Sequence, residues 1–314
     1  MSFESIIGHE DVKKQLVMAI DSRGLSHAHL IAGEDGIGKS CIAKAMALRI
    51  LGKTKEIDYV DIVEWKIQKG EKSLKVNAIR LLIEEINKKP YEMDKKVIIV
   101  YEADKMTEEA QNALLKTIEE PPKGVFLILL CENLEIILNT IRSRCQIHKL
   151  RPLRKEELYD FIKKRYGELE KEEVDAAMAF SEGIPGKAEI FIKDESFHDM
   201  RNNVLKMLIM ITKSSENEVL EYEKFLNLYK DSWTLIVNCM LTFIRDAMVY
   251  KETSDRDLII NKDKIKQIQE LANIFSYKKL NDIINIIEDA MRSLRKNVNT
   301  SLVFQMMLLK LQEV

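Results

Sequence analysis

The residues Gly33-Glu34-Asp35-Gly36-Ile37-Gly38-Lys39-Ser40 satisfy the pattern G-x-x-x-x-G-K-[ST] in full. Those residue types at that spacing suit the binding of a polyphosphate. Glycines let successive backbone N–H groups turn inward, and the helix that follows adds the positive end of its dipole. The lysine reaches the β- and γ-phosphates, and the hydroxyl is placed to ligate Mg²⁺. The pattern therefore assigns phosphate contact to Lys39, the magnesium of a bound nucleotide to Ser40, and the wrapping loop to Gly33, Glu34, Asp35, Gly36, Ile37, Gly38 and on through Cys41. A chance glycine-rich turn is the alternative. Against it, an apolar run, His29-Leu30-Ile31-Ala32, leads into the loop, and a helical pattern follows from Ser40 to Ala47.

A nucleotide site of this class also needs an acidic side chain at the end of a neighbouring strand to organise the metal. The run Val97-Ile98-Ile99-Val100 is such a strand, and it ends in Tyr101-Glu102-Ala103-Asp104. Tyr101 occupies the first position, and a phenol, protonated near pH 7, cannot replace a carboxylate there. Glu102 is placed to orient a water. The expectation is a chain that binds ATP or ADP but hydrolyses ATP poorly. The plainer reading of Glu102 and Asp104 is polar termination of a buried strand.

The elements that must position these groups alternate. Strand patterns at His29–Ala32, Tyr59–Val63, Val97–Val100, Val125–Leu130 and Gln146–Leu150 are separated by helical ones, among them Val76–Lys88 with Ile79, Leu82, Ile83 and Ile86 on one face. Thr107 is a helix cap, followed by Glu108 and Glu109 at the positive end of the dipole. Strand–helix alternation of this kind predicts an α/β layer with a parallel sheet. After Arg151 the strands stop. Short helices are expected over Lys155–Arg165 and Glu172–Ser181, with another from Lys187 after the Gly183-Ile184-Pro185-Gly186 break. The chain has 314 residues with 11 Gly and 5 Pro, and all of these lie at or before Gly186. The stretch from Lys187 to Val314 lacks the residues that punctuate turns, so it should be helical. The expected division is a nucleotide-binding domain over 1–152, a helical lid over 153–197 and an all-helical domain over 198–314.

Net charge is −2, with Lys+Arg 49 and Asp+Glu 51, which excludes a globally basic nucleic-acid binder. Cys41, Cys131, Cys145 and Cys239 are scattered and form no C-x-x-C pair, so neither a zinc site nor a disulfide framework is expected. No apolar run is long enough to span a bilayer, and the start of the sequence has no charged-then-apolar leader. A cytoplasmic protein without membrane contact is expected. Lys163-Lys164-Arg165 offers a DNA-facing patch or, as the plainer reading, a solvated helix face, since Glu168 and Glu170 follow.

Several stretches resemble the AAA+ clamp-loader family. Phe3-Glu4-Ser5-Ile6-Ile7-Gly8-His9-Glu10 is similar to the family's segment leading to the adenine pocket. Glu102-Ala103-Asp104-Lys105-Met106-Thr107, then Ala110-Gln111-Asn112-Ala113-Leu114-Leu115-Lys116-Thr117-Ile118-Glu119-Glu120-Pro121-Pro122, and Thr140-Ile141-Arg142-Ser143-Arg144-Cys145 are the most specific matches. The resemblance implies a five-stranded parallel sheet of order 5-1-4-3-2, a small helical lid and an all-α collar. It also implies a five-subunit ring with gamma/tau and delta clamp-loader subunits, acting through the complex on a sliding clamp and primer-template DNA. Arg144, in the Ser-Arg-Cys motif, would act in trans as an arginine finger on a neighbour's ATP. Tyr101, together with Gly186 where the lid's sensor arginine usually falls, fits a stator-type member that keeps its trans arginine and has lost its own catalytic groups. A gamma/tau-type ATPase subunit and a free-standing DNA-remodelling ATPase are the alternatives.

Overall fold

The computed structural model describes residues 2–314 apart from Arg23, Glu56, Lys69 and Asn297. The chain divides into two compact units, Met1–Arg165 with Gly183–Gly186, and Tyr166–Glu182 with Lys187–Val314.

In the first unit α1 (Glu10–Asp21), β1 (Ala28–Ala32), α2 (Lys39–Ile50), β2 (Ile62–Trp65), α3 (Val76–Asn87), β3 (Lys96–Val100), α4 (Glu108–Glu119), β4 (Val125–Cys131), α5 (Asn139–Arg142), β5 (Gln146–Lys149) and α6 (Lys155–Tyr166) follow one another. The strands form one parallel sheet in the order β2-β3-β4-β1-β5. This is the order implied by the family resemblance. Strand alternation feeds two cores. Val97, Ile99, Ile128 and Leu130 pack with Ile42, Met46 and Ile50 of α2, while Ile98, Val100, Leu127 and Leu129 pack with Leu82 of α3 and Leu114 and Ile118 of α4. Helices thus cover both faces, which is why the central strands are apolar apart from His29 of β1 and Lys96 of β3. Thr107 caps α4 through its side chain, which accepts from Ala110 N at 3.3 Å.

The second strand begins later than its apolar pattern from Tyr59 predicts. Asp61 is buried, and its carboxylate accepts the N–H groups of Tyr91 (2.6 Å), Glu92 (2.9 Å) and Met93 (2.9 Å). That clamp fixes the approach to β3, and strand pairing starts one residue on, at Ile62 opposite Val97.

The second unit is helical, with α7 (Lys171–Ser181), α8 (Pro185–Lys193), α9 (Glu195–Met210), α10 (Glu216–Leu228), α11 (Trp233–Thr253), α12 (Ile265–Ile274), α13 (Tyr277–Arg295) and α14 (Thr300–Gln312). α8 starts at Pro185 rather than Lys187, because a proline in the first helical turn forfeits no hydrogen bond. Asp194 caps α9 and Asn299 caps α14.

One feature of the sheet is electrostatic. His29 of β1 and His148 of β5 are both buried, with His29 Nδ1 and His148 Nε2 3.1 Å apart and the rings stacked at 5.3 Å. His29 Nε2 lies 2.8 Å from Ser26 O, which can only accept. His29 therefore carries its proton on Nε2, and the Nε2–H of His148 donates to His29 Nδ1. Burial lowers both imidazoles, His29 to about 4. Between that value and the ordinary one the unfolded chain binds a proton that the folded chain refuses. Stability is thus full above about pH 6.5 and is lost as pH falls toward 4. By linkage the loss reaches about 2 kcal/mol at about pH 5. Urea unfolding at neutral and mildly acid pH measures it, and an acid slope that survives His29→Gln would assign the effect elsewhere.

Candidate functional site

β1 delivers the chain into the glycine-rich loop. Gly33 N donates to Cys131 O of β4 at 3.2 Å, which anchors the loop on the sheet. Gly38, at φ 108°, turns the chain into α2 in a conformation that side chains resist. Lys39 folds over the loop, with Nζ donating to Gly33 O (2.7 Å) and Glu34 O (2.9 Å). Ile37 is buried, and its carbonyl lies 3.1 Å from Nε2 of His9, in the segment that resembles the adenine-pocket motif. The tip of the loop, Glu34, Asp35 and Gly36, is exposed, while Gly33, Gly38, Lys39, Ser40 and Cys41 are half-buried.

The Gly183–Gly186 segment rests on this loop. Gly186 N donates to Gly36 O at 2.9 Å, and a Cβ on residue 186 would stand 2.6 Å from Gly36 Cα. Ile184 is buried in the same core as Ile37 and Leu150. Backbone thus fills the space beside residue 186, so a side chain as long as the family's sensor arginine has no room there.

The end of β3 is built differently from a metal-binding strand end. Tyr101 N donates to Trp65 O at 2.9 Å, and its hydroxyl donates to Glu64 Oε2 at 3.1 Å. Glu64 also pairs with Lys44 of α2 at 2.7 Å and with Lys66 at 2.6 Å, and the Lys66 ammonium lies 4.6 Å from the Tyr101 ring centroid. Burial alone would raise the Glu64 carboxyl, but hydrogen bonds from Lys44 and Lys66 overcome it and bring it down to about 2. Burial, then the Glu64 charge, pushes the Tyr101 phenol above its ordinary range, so it stays protonated. Glu102 sits at φ 50° with its carboxylate paired to Lys105. Asp104 Oδ2 accepts from Glu132 N (3.1 Å) and Asn133 N (3.0 Å).

The loop fits a nucleotide's phosphates, with Lys39 folded over it and the N-terminus of α2 at its end. Magnesium fits less well. Ser40 offers a hydroxyl, yet Glu64 and Glu102 are paired with lysines and Asp104 commits Oδ2 to two backbone amides. Among the described residues no group of three His, Cys, Asp or Glu is placed to hold a metal ion.

Arg144 is exposed just past the end of α5. Its Nη2 pairs with Glu119 at 2.6 Å and its Nη1 donates to Thr140 O at 3.0 Å, so these partners come from α4 and α5 and not from the loop. Gln111, buried in α4, steadies the approach to α5. Its amide nitrogen donates to Met106 O (3.3 Å) and Ile136 O (3.2 Å), and its oxygen accepts from Leu138 N (2.8 Å). Gln111 and Glu119 lie inside a stretch already singled out in the sequence. Lys44, Glu64 and Lys66 had no signal there, because their meeting depends on α2, β2 and β3 coming together.

Two family profiles match the chain. One is described as DNA polymerase III, delta subunit, over residues 8–154, and the other as DNA polymerase III, delta subunit, C terminal, over residues 195–313. The chain belongs to the AAA+ clamp-loader family. Among clamp-loader relatives, the DNA polymerase III delta-prime subunit of Bacillus subtilis (strain 168) is 26% identical, over 96% of this chain and 95% of its own length. The DNA polymerase III gamma subunit of Buchnera aphidicola subsp. Schizaphis graminum is 32% identical over 52% of this chain and 48% of its own, so the chain spans about half the length of that relative. In fold, the chain resembles a solved gamma-subunit-related protein from Thermotoga maritima, with a TM-score of 0.54, 21% identity and coverage of 95% of this chain and 99% of that one. No helix among the described residues is long and apolar enough to cross a membrane.

Proposed function

We propose that this chain is the stator, or delta-prime, subunit of a bacterial DNA polymerase III clamp loader. It binds nucleotide at Gly33–Cys41, hydrolyses it poorly, and presents Arg144 in trans to the nucleotide of a neighbouring subunit. The observation that carries this reading is the split state of the site. The phosphate loop and Arg144 are intact, whereas Tyr101 stands where a metal-organising carboxylate belongs and Glu102 is tied to Lys105.

The partners are gamma/tau and delta subunits in a five-subunit ring in the cytoplasm, acting on the sliding clamp and primer-template DNA. The division into a nucleotide domain over 1–152, a lid over 153–197 and a collar over 198–314 belongs to this proposal. α14 supports a collar contact. It buries Val303, Phe304, Met307, Leu308 and Leu311, yet leaves Leu302, Met306 and Leu309 exposed along one stripe. Similarity to the gamma subunit favours a motor as the second reading.

Reconstitution separates the two. The chain is expected to co-purify with gamma/tau and delta, and clamp loading on primed DNA is expected to fail without it. Alone it is expected to show no ATP turnover above background. Rapid DNA-stimulated turnover by the isolated chain would overturn the stator reading.

A further inference from the structure

The cluster at the end of β3 occupies the side of the loop from which a metal ion is ordinarily organised. Lys44 follows Ser40 on α2, one turn further along the same helical face. Its ammonium meets Glu64 at 2.7 Å, and the other Glu64 oxygen meets both Lys66 (2.6 Å) and the Tyr101 hydroxyl (3.1 Å). From the Ser40 face of α2 to the residue at the metal-organising position, the protein is continuously bonded to itself. The group carries two ammoniums against one carboxylate.

The remaining acids nearby do not help a metal. Glu102 is paired with Lys105 at the surface, and Asp104 spends one oxygen on the amides of Glu132 and Asn133. Magnesium at nucleotide sites is held through one or two carboxylates together with phosphate oxygens and water. Here the position that ordinarily supplies that carboxylate holds Tyr101, and the Lys44–Glu64–Lys66 group joined to it carries two ammoniums against one carboxylate.

From this we infer that the site takes its nucleotide free of metal, with the fixed charges of Lys39 and the Lys44–Glu64–Lys66–Tyr101 cluster in place of magnesium. The inference rests on nucleotide binding at the loop and goes beyond it by naming the ligand as an uncomplexed nucleoside diphosphate or triphosphate. It stands as an alternative to the expectation that Ser40 carries the magnesium of a bound nucleotide. Ser40 remains a hydroxyl partner for phosphate.

Isothermal titration of the full chain with ADP, in excess magnesium and in excess EDTA, tests it. The Kd is expected to differ by less than about threefold between the two buffers. A loss of about tenfold or more in EDTA, the size expected for a metal that bridges protein and phosphate, overturns the inference while leaving nucleotide binding in place. Failure to bind in both buffers overturns the nucleotide reading beneath it. Tyr101→Asp supplies the missing carboxylate, and it is expected to bind ADP at least about tenfold more tightly with magnesium than with EDTA. A Tyr101→Asp chain that folds and stays indifferent to magnesium would remove the role given to Tyr101.

Discussion

Replacing Arg144 by alanine is expected to slow hydrolysis by about 10³-fold or more at the one nucleotide site this chain faces in the assembled clamp loader, the range in which arginine fingers act. The side chain is suited to that role. A guanidinium is charged at any working pH and presents a rigid fork to phosphate oxygens. Gln111 fixes the segment before α5, and Thr140 O holds Nη1, so the arginine projects from an ordered base. Its ion pair with Glu119 is exposed on both sides, and such pairs contribute only about 0–1 kcal/mol, so a triphosphate can displace the carboxylate readily. In the proposed ring other sites would keep their own arginines, so steady-state turnover would understate the loss. The informative measurement is the phosphate burst in a single turnover, which should fall by one site-equivalent. Nucleotide binding by this chain should be unchanged, since the partners of Arg144 lie outside the loop. Arg144→Lys should restore only part of the burst, because an ammonium is a point charge without the fork. A full burst from the alanine variant would end the trans assignment.

What could be read in advance follows the range of the signals. The phosphate loop was legible because its function needs backbone freedom at fixed local spacing, and Val125–Cys131 because a strand buried on both faces must be apolar throughout. Thr107 was legible as a helix start for the same local reason. Contacts that cross the sequence were not. Tyr101 was visible as a missing carboxylate, but its bond to Glu64 spans 37 residues, and Lys44 joins from a third element, which leaves no periodicity. Gly186 could be aligned with the family's lost arginine, while the reason for its loss, the backbone of Gly36, emerges only when that segment folds back onto the loop. The His29–His148 pair depends on β5 lying beside β1, a neighbour that chain order does not suggest.

The helical unit hides a contact of the same kind, and its removal is expected to have the largest effect on stability. Arg201 of α9 is fully buried. Its guanidinium forks onto Asp263 (3.0 and 3.1 Å) and donates to Asn261 Oδ1 (2.8 Å). It also lies over the Phe191 ring at 4.6 Å and within 5.7 Å of the Phe243 ring. Asn261 is in turn held by Asp246, also fully buried, whose carboxylate accepts from Ile260 N, Asn261 N, Asn261 Nδ2 and Arg245 Nη1. One network therefore joins α8, α9 and α11 to the 260–263 segment. Arg201→Ala leaves Asn261 Oδ1 without its donor, leaves Asp263 only the longer pairing with Lys264 at 3.7 Å and opens a void between two aromatic rings. Breaking a buried pair from one side costs about 3–5 kcal/mol. At about 2–4 °C per kcal/mol for a unit of this size, the unfolding temperature should fall by about 10 °C. Arg201→Lys keeps the charge without the fork and should recover less than half of that. Differential scanning calorimetry of the full chain measures both, and a shift under about 2 °C for the alanine variant would mean that packing of the surrounding aromatic and aliphatic side chains, rather than this charge network, holds the helices together.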